Sequence, residues 1–231
     1  MSETNEEIAE NLNIAWRFFC SNGYVDGFGH ISARTADPDR VLITPHSLRA
    51  DSTPDEFVMI DLDGNQYGSD VKLPGELPIH LEIYKSRPDV GSVSHFHCMH
   101  ATSFSMSEHD LMPTYFLASI FRDGVPVHPD AKLVQTQERG VALAETLGSH
   151  RAALMRAHGI VVTGPDVIEM TAGVFILDDN AKRTAIAASM GKFETLGDEE
   201  MAEIEAEILS GRGPINRIWG LCKAEVAEID R

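Results

Sequence analysis

The segment that most constrains this chain is Gly91–His97, Gly-Ser-Val-Ser-His-Phe-His, an alternating run that reads as a β-strand. Successive side chains of a strand point to opposite faces, so His95 and His97 stand side by side on one face. Two neutral imidazoles so placed can chelate one divalent metal. The same spacing also suits two half-buried histidines bonded to backbone, and the motif alone does not choose.

Two further stretches bear on that choice. Ala152–Thr163 reads as two short strands around His158-Gly159, the first of them small and apolar. A histidine at the end of a buried strand projects where sites are often built. With His95 and His97, His158 completes a three-histidine set with an open coordination position, the feature that separates catalytic from closed structural metal sites. The second stretch is Leu73-Pro74-Gly75-Glu76-Leu77-Pro78-Ile79-His80, a breaker leading into a helix over 75–86. Glu76 falls in its first turn, where the helix dipole favours a carboxylate. It is either a charge-matched helix start or an acid/base group beside the metal. His80, four residues on, shares its face and can hold Glu76 by a hydrogen bond or pack. Leu77, Leu81 and Tyr84 form the neighbouring core stripe.

The rest of the chain supplies a scaffold. The spacing of Ile8, Leu12, Trp16 and Phe19 predicts a helix over 3–21. Strands are expected at 30–34, 41–44 and 57–62, the last followed by the turn Asp63-Gly64-Asn65. Helices are expected at 99–107, 138–148, 166–190, 198–210 and 214–229, with an irregular stretch at 108–137. Strands in the middle with helices at both ends give an α/β or α+β domain. No glycine fingerprint for phosphate or dinucleotide occurs.

Length and charge narrow the partners. A chain of 231 residues makes one domain of ordinary size. With 19 Lys and Arg against 36 Asp and Glu, the formal charge is −17, which argues against nucleic acid and anionic membrane surfaces. Cys20, Cys98 and Cys222 are an odd set without CxxC spacing, which fits a reducing cytoplasm. The acidic N-terminus is no secretory signal, and no apolar run reaches the roughly 20 residues of a membrane span.

The order GHISAR, LITP, PGE, HxxIY, RPDVGSVSHFH and AHGIVVTG resembles the class II aldolase/adducin family from about residue 8 to about residue 190. The resemblance implies a three-layer α/β/α fold with a central, mostly antiparallel sheet. It implies one domain over 1–231, with a helical extension after about 195 and Trp219 and Leu221 as interface or lid residues. It also implies a homotetramer. His95, His97 and His158 would hold one divalent metal per subunit, zinc first, with manganese, iron or cobalt as alternatives. Glu76 would be the acid/base, with its pKa raised in a partly dry pocket.

Three departures bear on the substrate. The sugar-phosphate aldolases of this family hold phosphate with G-N-x-S, T-P-[ST]-G and P-S-S-E. The corresponding stretches here are Gly29-His30-Ile31-Ser32, Thr44-Pro45-His46-Ser47 and Leu73-Pro74-Gly75-Glu76. Imidazoles in place of small polar groups suit a carboxylate or a phenol. The chain thus resembles the decarboxylase branch, which acts on dihydroxyphthalate-type acids or ring-cleaved hydroxy acids in aromatic compound catabolism. His30, His46, Ser47 and Arg49 become candidates for the substrate carboxylate, with Arg49 the best charged partner. Arg34 is expected in a structural ion pair. Tyr115 is a weaker candidate, since family aldolases use a mobile tyrosine near the site; the bland reading is a core aromatic. His128 is expected in a loop, His100 turned away from the metal, and His109 and His150 exposed. Three alternatives remain: an aldolase acting on an unphosphorylated substrate, a non-catalytic adducin-like module, and a non-haem iron oxygenase.

Overall fold

The computed structural model describes residues 3–229 and Arg231. Helix α1 (Asn5–Ser21) starts at a capping box in which Thr4 and Glu7 satisfy each other's backbone amides. Strands β1 (His30–Arg34), β2 (Arg40–Ile43), β3 (Val58–Asp61) and β4 (Gln66–Tyr67) follow as an antiparallel meander. Then come α2 (Leu77–Ser86), β5 (Ser92–Phe96) and α3 (Met99–Phe104). Beyond a 3-10 turn at Phe116–Phe121 lie β6 (Val127–His128), α4 (Gln137–Leu147), β7 (Ala152–Met155) and β8 (Gly159–Gly164). Helices α5 (Val167–Met190), α6 (Asp198–Gly211) and α7 (Gly213–Ile229) complete the chain.

The eight strands form one sheet in the order β4-β3-β2-β1-β5-β8-β7-β6. Every pairing is antiparallel except the β6–β7 edge. Alternation along the strands sorts the core into two halves. Ile31, Ala33, Phe96, Ile160 and Val162 face a cluster built with α1, α5 and α7. Val41, Ile43, Val93 and Val161 face α2 and α4 through Ile79, Ile83, Leu143 and Leu147. This is the expected three-layer α/β/α arrangement.

Three details depart from expectation. The turn Asp63-Gly64-Asn65 carries a short extra strand, β4, held because Asp61 accepts from Asp63 and Asn65. Trp219 is buried in the α1/α5/α7 core rather than offered as an interface or lid residue, while Leu221 stays exposed. Among the described residues Arg34 forms no ion pair; its guanidinium donates to the carbonyls of Val90 and Tyr84 and lies over the Tyr84 ring.

Candidate metal centre and cleft

The geometry starts from the β1–β5–β8 register. His30 is opposite His95, and the β7–β8 turn carries His158 to the same end of the sheet. His97 lies just past the end of β5. Ala157, ahead of His158, adopts a left-handed φ of 54°, and its amide is held by Ser105 Oγ. Such backbone conformations in a non-glycine residue are uncommon and cluster at functional sites. Gly29 is required where it stands: its φ is 115°, and a Cβ there would lie 2.7 Å from the Phe96 ring.

His95, His97 and His158 each present a ring nitrogen within 4.8 Å of the others. His95 Nδ1 donates to the Ile160 carbonyl at 3.0 Å, and His97 Nδ1 lies 3.5 Å from Asp26 Oδ1. The Nε2 atoms of all three histidines are buried with no hydrogen-bond partner. Buried imidazole nitrogens are seldom left so; His95 and His97 also have a partner at the opposite ring nitrogen, as metal ligands do, whereas both nitrogens of His158 are partnerless among the described residues. The donor set therefore fits a divalent cation. Glu76 closes the fourth side, with Oε2 3.7 Å from His95 Nε2 and 3.6 Å from His158 Nε2.

Glu76 is the N-cap of α2 rather than a residue of its first turn. Its Oε1 accepts from the Val134 amide at 2.7 Å. Its pKa corrects the expectation: burial pushes the carboxyl up, but His158, His95 and the Val134 amide outweigh it and bring it down to about 2. Glu76 is thus an ionised carboxylate. Burial also lowers His30 and His95 well below the usual imidazole range, and His80 to about 3, so all three rings are neutral.

A cleft of about 440 Å³ opens over this cluster, lined in part by Phe28, His30, His46, Ser47, Glu76 and His97. Its far wall, Leu133 and Gln135, comes from the stretch read only as irregular. His46 Nε2 lies 3.4 Å from Lys72 Nζ, a cation that sequence reasoning passed over, as it did Asp26. Neither stands in a motif whose spacing could have flagged it.

Several expected residues sit elsewhere. Arg49 does not line the cleft: its exposed guanidinium forks onto Asp51 at 2.8 and 2.6 Å, so its charge is already matched. Tyr115 also lies away from the cleft within one chain, under the Arg183 guanidinium and against the α5 side of the core. His80 does not hold Glu76 but bonds His30 and Ser32. His128 is a buried strand residue bonded to Thr146, and His150 is partly covered, its Nδ1 facing the Leu147 carbonyl. His100 pairs with Asp178, turned from the cluster as expected, and His109 is exposed.

Residues 10–185 match the class II aldolase and adducin N-terminal domain. The chain belongs to that family. It is 28% identical over 223 residues to a 3,4-dihydroxyphthalate decarboxylase of Rhodococcus jostii (strain RHA1), covering 89% of this chain and 90% of that one. It is 30% identical over 135 residues to the L-fuculose phosphate aldolase of Escherichia coli (strain K12), covering 58% and 61%. Among solved structures, an aldolase II superfamily protein from Pseudomonas syringae superposes with a TM-score of 0.85 at 23% identity, over 99% of this chain and 95% of that chain. Class II aldolases depend on a divalent metal, and the histidine cluster lies where this chain can hold one. Among the described residues no helix is long and apolar enough to cross a membrane.

Proposed function

We propose that this chain is a divalent-metal-dependent carboxy-lyase acting on a dihydroxyphthalate-type or ring-cleaved hydroxy acid. The observation that carries the metal centre is the set of three mutually close histidine ring nitrogens, with all three Nε2 atoms buried and partnerless among the described residues, beside an ionised carboxylate. His95, His97 and His158 would hold the cation, which supplies Lewis-acid stabilisation of the electron pair left when a carbon–carbon bond breaks. Zinc suits the donor set best among the common divalent ions.

The remaining steps belong to the chain. His30 and His46 meet the departing carboxylate, with Ser47 also lining the cleft and Lys72 beside His46. Because Glu76 starts ionised, it takes a proton from a substrate hydroxyl and returns it to the carbon that loses CO2. His30 stands for the asparagine, His46 for the small hydroxyl residue, and Pro74-Gly75-Glu76 lacks both serines by which the sugar-phosphate aldolases hold phosphate, which favours a carboxylate or phenol over a phosphate. The decarboxylase relative at near full length supports this substrate class.

A second reading, cleavage of an unphosphorylated hydroxy-keto compound, draws on the similarity to the fuculose phosphate aldolase. In either case we take residues 1–231 as one catalytic domain of a cytoplasmic homotetramer. Exposed Met99, Met106, Met112 and Phe116 would then be apolar surface available to neighbouring subunits. Arg49 and Tyr115 would join the site only on rearrangement or from such a neighbour. The deciding experiment supplies zinc-, manganese- or iron-loaded protein with 3,4-dihydroxyphthalate and related acids, reading CO2 and products by mass spectrometry. Chelator-sensitive CO2 release supports the carboxy-lyase; aldehyde release without CO2 replaces it with the aldolase.

A further inference from the structure

A buried hydrogen-bond chain runs from the α2 face of the sheet into the cleft. The Tyr84 hydroxyl is 2.8 Å from Ser32 Oγ, Ser32 Oγ is 2.6 Å from His80 Nδ1, and His80 Nε2 is 2.7 Å from His30 Nδ1. Ser32 and His80 are 0% exposed and Tyr84 1%, so water cannot complete any of their bonds. The chain has a direction because one end has a single solution. Among the described residues the Tyr84 proton has one acceptor, Ser32 Oγ. The Arg34 guanidinium over its ring carries donors only and cannot take that proton.

If Tyr84 donates to Ser32, then Ser32 donates to His80 Nδ1 and His80 carries its proton on Nε2, which donates to His30 Nδ1. Every buried donor is then used. The opposite direction leaves the buried Tyr84 proton with no acceptor, which native structures avoid. A doubly protonated His80 would donate to His30 just the same, so the conclusion does not depend on His80 ionisation.

We propose that Tyr84, Ser32 and His80 are positioning residues that fix His30 in its Nε2–H tautomer and aim that N–H into the cleft as a donor for an anionic oxygen of the substrate. The assignment also resolves an overlap. A ring nitrogen each from His30 and His95 and a carboxylate oxygen of Glu76 lie within 4.8 Å of one another, as do ring nitrogens of His95, His97 and His158. A protonated Nε2 has no lone pair for a metal. With Nδ1 spent on His80, His30 is excluded from the metal's ligands and left to the substrate. The substrate part of this inference rests on the proposed carboxy-lyase reading; the tautomer does not.

The test is histidine 15N and 13C NMR on the zinc-loaded full chain without substrate, with the His30 signals assigned by their loss in His30→Gln. The expected result is one His30 tautomer, protonated on Nε2, by at least about ten to one. Protonation of His30 on Nδ1 overturns the proposal. A second arm reverses the chain: Ser32→Asp places an acceptor-only carboxylate at its head, which draws His80 Nδ1–H and should move the His30 proton to Nδ1. A folded Ser32→Asp protein whose His80 is singly protonated in the same spectra, with His30 still protonated on Nε2, also overturns the directional argument; where its His80 is doubly protonated, the wild-type spectrum decides alone. If that variant does not fold, the wild-type spectrum decides alone. The expected tautomer together with no decarboxylation of any acid would sink the functional reading and leave the chain standing.

Discussion

Gly159 sets how closely β8 approaches the histidine cluster, and replacing it tests whether that closeness matters. A Cβ on Gly159 would lie 2.4 Å from the Phe96 carbonyl oxygen, 2.9 Å from His97 Cδ2 and 3.1 Å from His95 Cε1. None of these is the free end of a flexible side chain; one is backbone of the paired strand, and two are rings of the cluster. To bring the shortest contact to even 3.0 Å, the strands must part by at least 0.6 Å (3.0 − 2.4). Metal–ligand distances tolerate only about 0.2 Å, so the three ligand nitrogens cannot all keep their places. Gly159→Ala is expected to weaken zinc binding by roughly 10- to 100-fold, the range seen when ligands are re-aimed. Overpacking should destabilise the metal-free protein by about 1–3 kcal/mol. Gly220→Ala, in the middle of α7 with nothing within 4 Å, is the control and should be neutral or stabilising by up to about 1 kcal/mol. Chelator competition measures the affinity, and urea unfolding with chelator present measures the stability. Gly159→Ala protein that binds zinc as tightly as wild type and unfolds at the same urea concentration would refute the reasoning.

Three other outcomes are expected. Glu76→Gln should retain zinc, since the three imidazoles remain, while turnover falls about 10²- to 10⁴-fold; full activity in that variant would remove Glu76 from the mechanism. Asp26→Ala removes the carboxylate facing His97 Nδ1 and should lower zinc affinity by about tenfold without changing the fold, read by the same chelator competition. The metal-free protein should lose stability on mild acidification. His80 is neutral when folded, with its pKa lowered from 6.5 to about 3 by burial, so below pH 6.5 the unfolded chain binds a proton the folded one does not. Stability is therefore full above 6.5 and falls by about 1.4 kcal/mol per pH unit, or about 2 kcal/mol by pH 5, from this one residue. His30 and His95, shifted in the same direction, steepen the slope. Urea midpoints that stay level between pH 7.5 and pH 5 would contradict this.

Much of the cluster was legible because it rests on short-range periodicity. The period of two put His95 and His97 on one face, and the glycine after His158 marked a strand end. What was missed depends on where elements begin and which neighbour they face. Counting Glu76 and His80 as i and i+4 of one helix made them partners. The helix begins one residue later, at Leu77, so Glu76 is a cap turned toward Val134, on a loop 58 residues away in sequence. His80 and Tyr84 are the true i, i+4 pair, and both point at Ser32 on β1. A tyrosine read as core packing is thus also the origin of a polar chain, a double role that hydrophobic patterning cannot register. Arg49 failed for a related reason. A guanidinium two residues from an aspartate satisfies itself locally, and a local fork needs no ordering of a distant loop. Lys72 was invisible because its relation to His46 is made by a backbone bond between two loops, from the His46 amide to the Lys72 carbonyl. The histidines at the positions where sugar-phosphate aldolases carry small polar groups therefore do more than enlarge the pocket wall. His30 ties the cleft to the buried sheet face through His80, and His46 ties it to Lys72. Both connections run through atoms that an asparagine or a serine would not place in the same position, which is a physical reason for those substitutions to travel with a change of substrate.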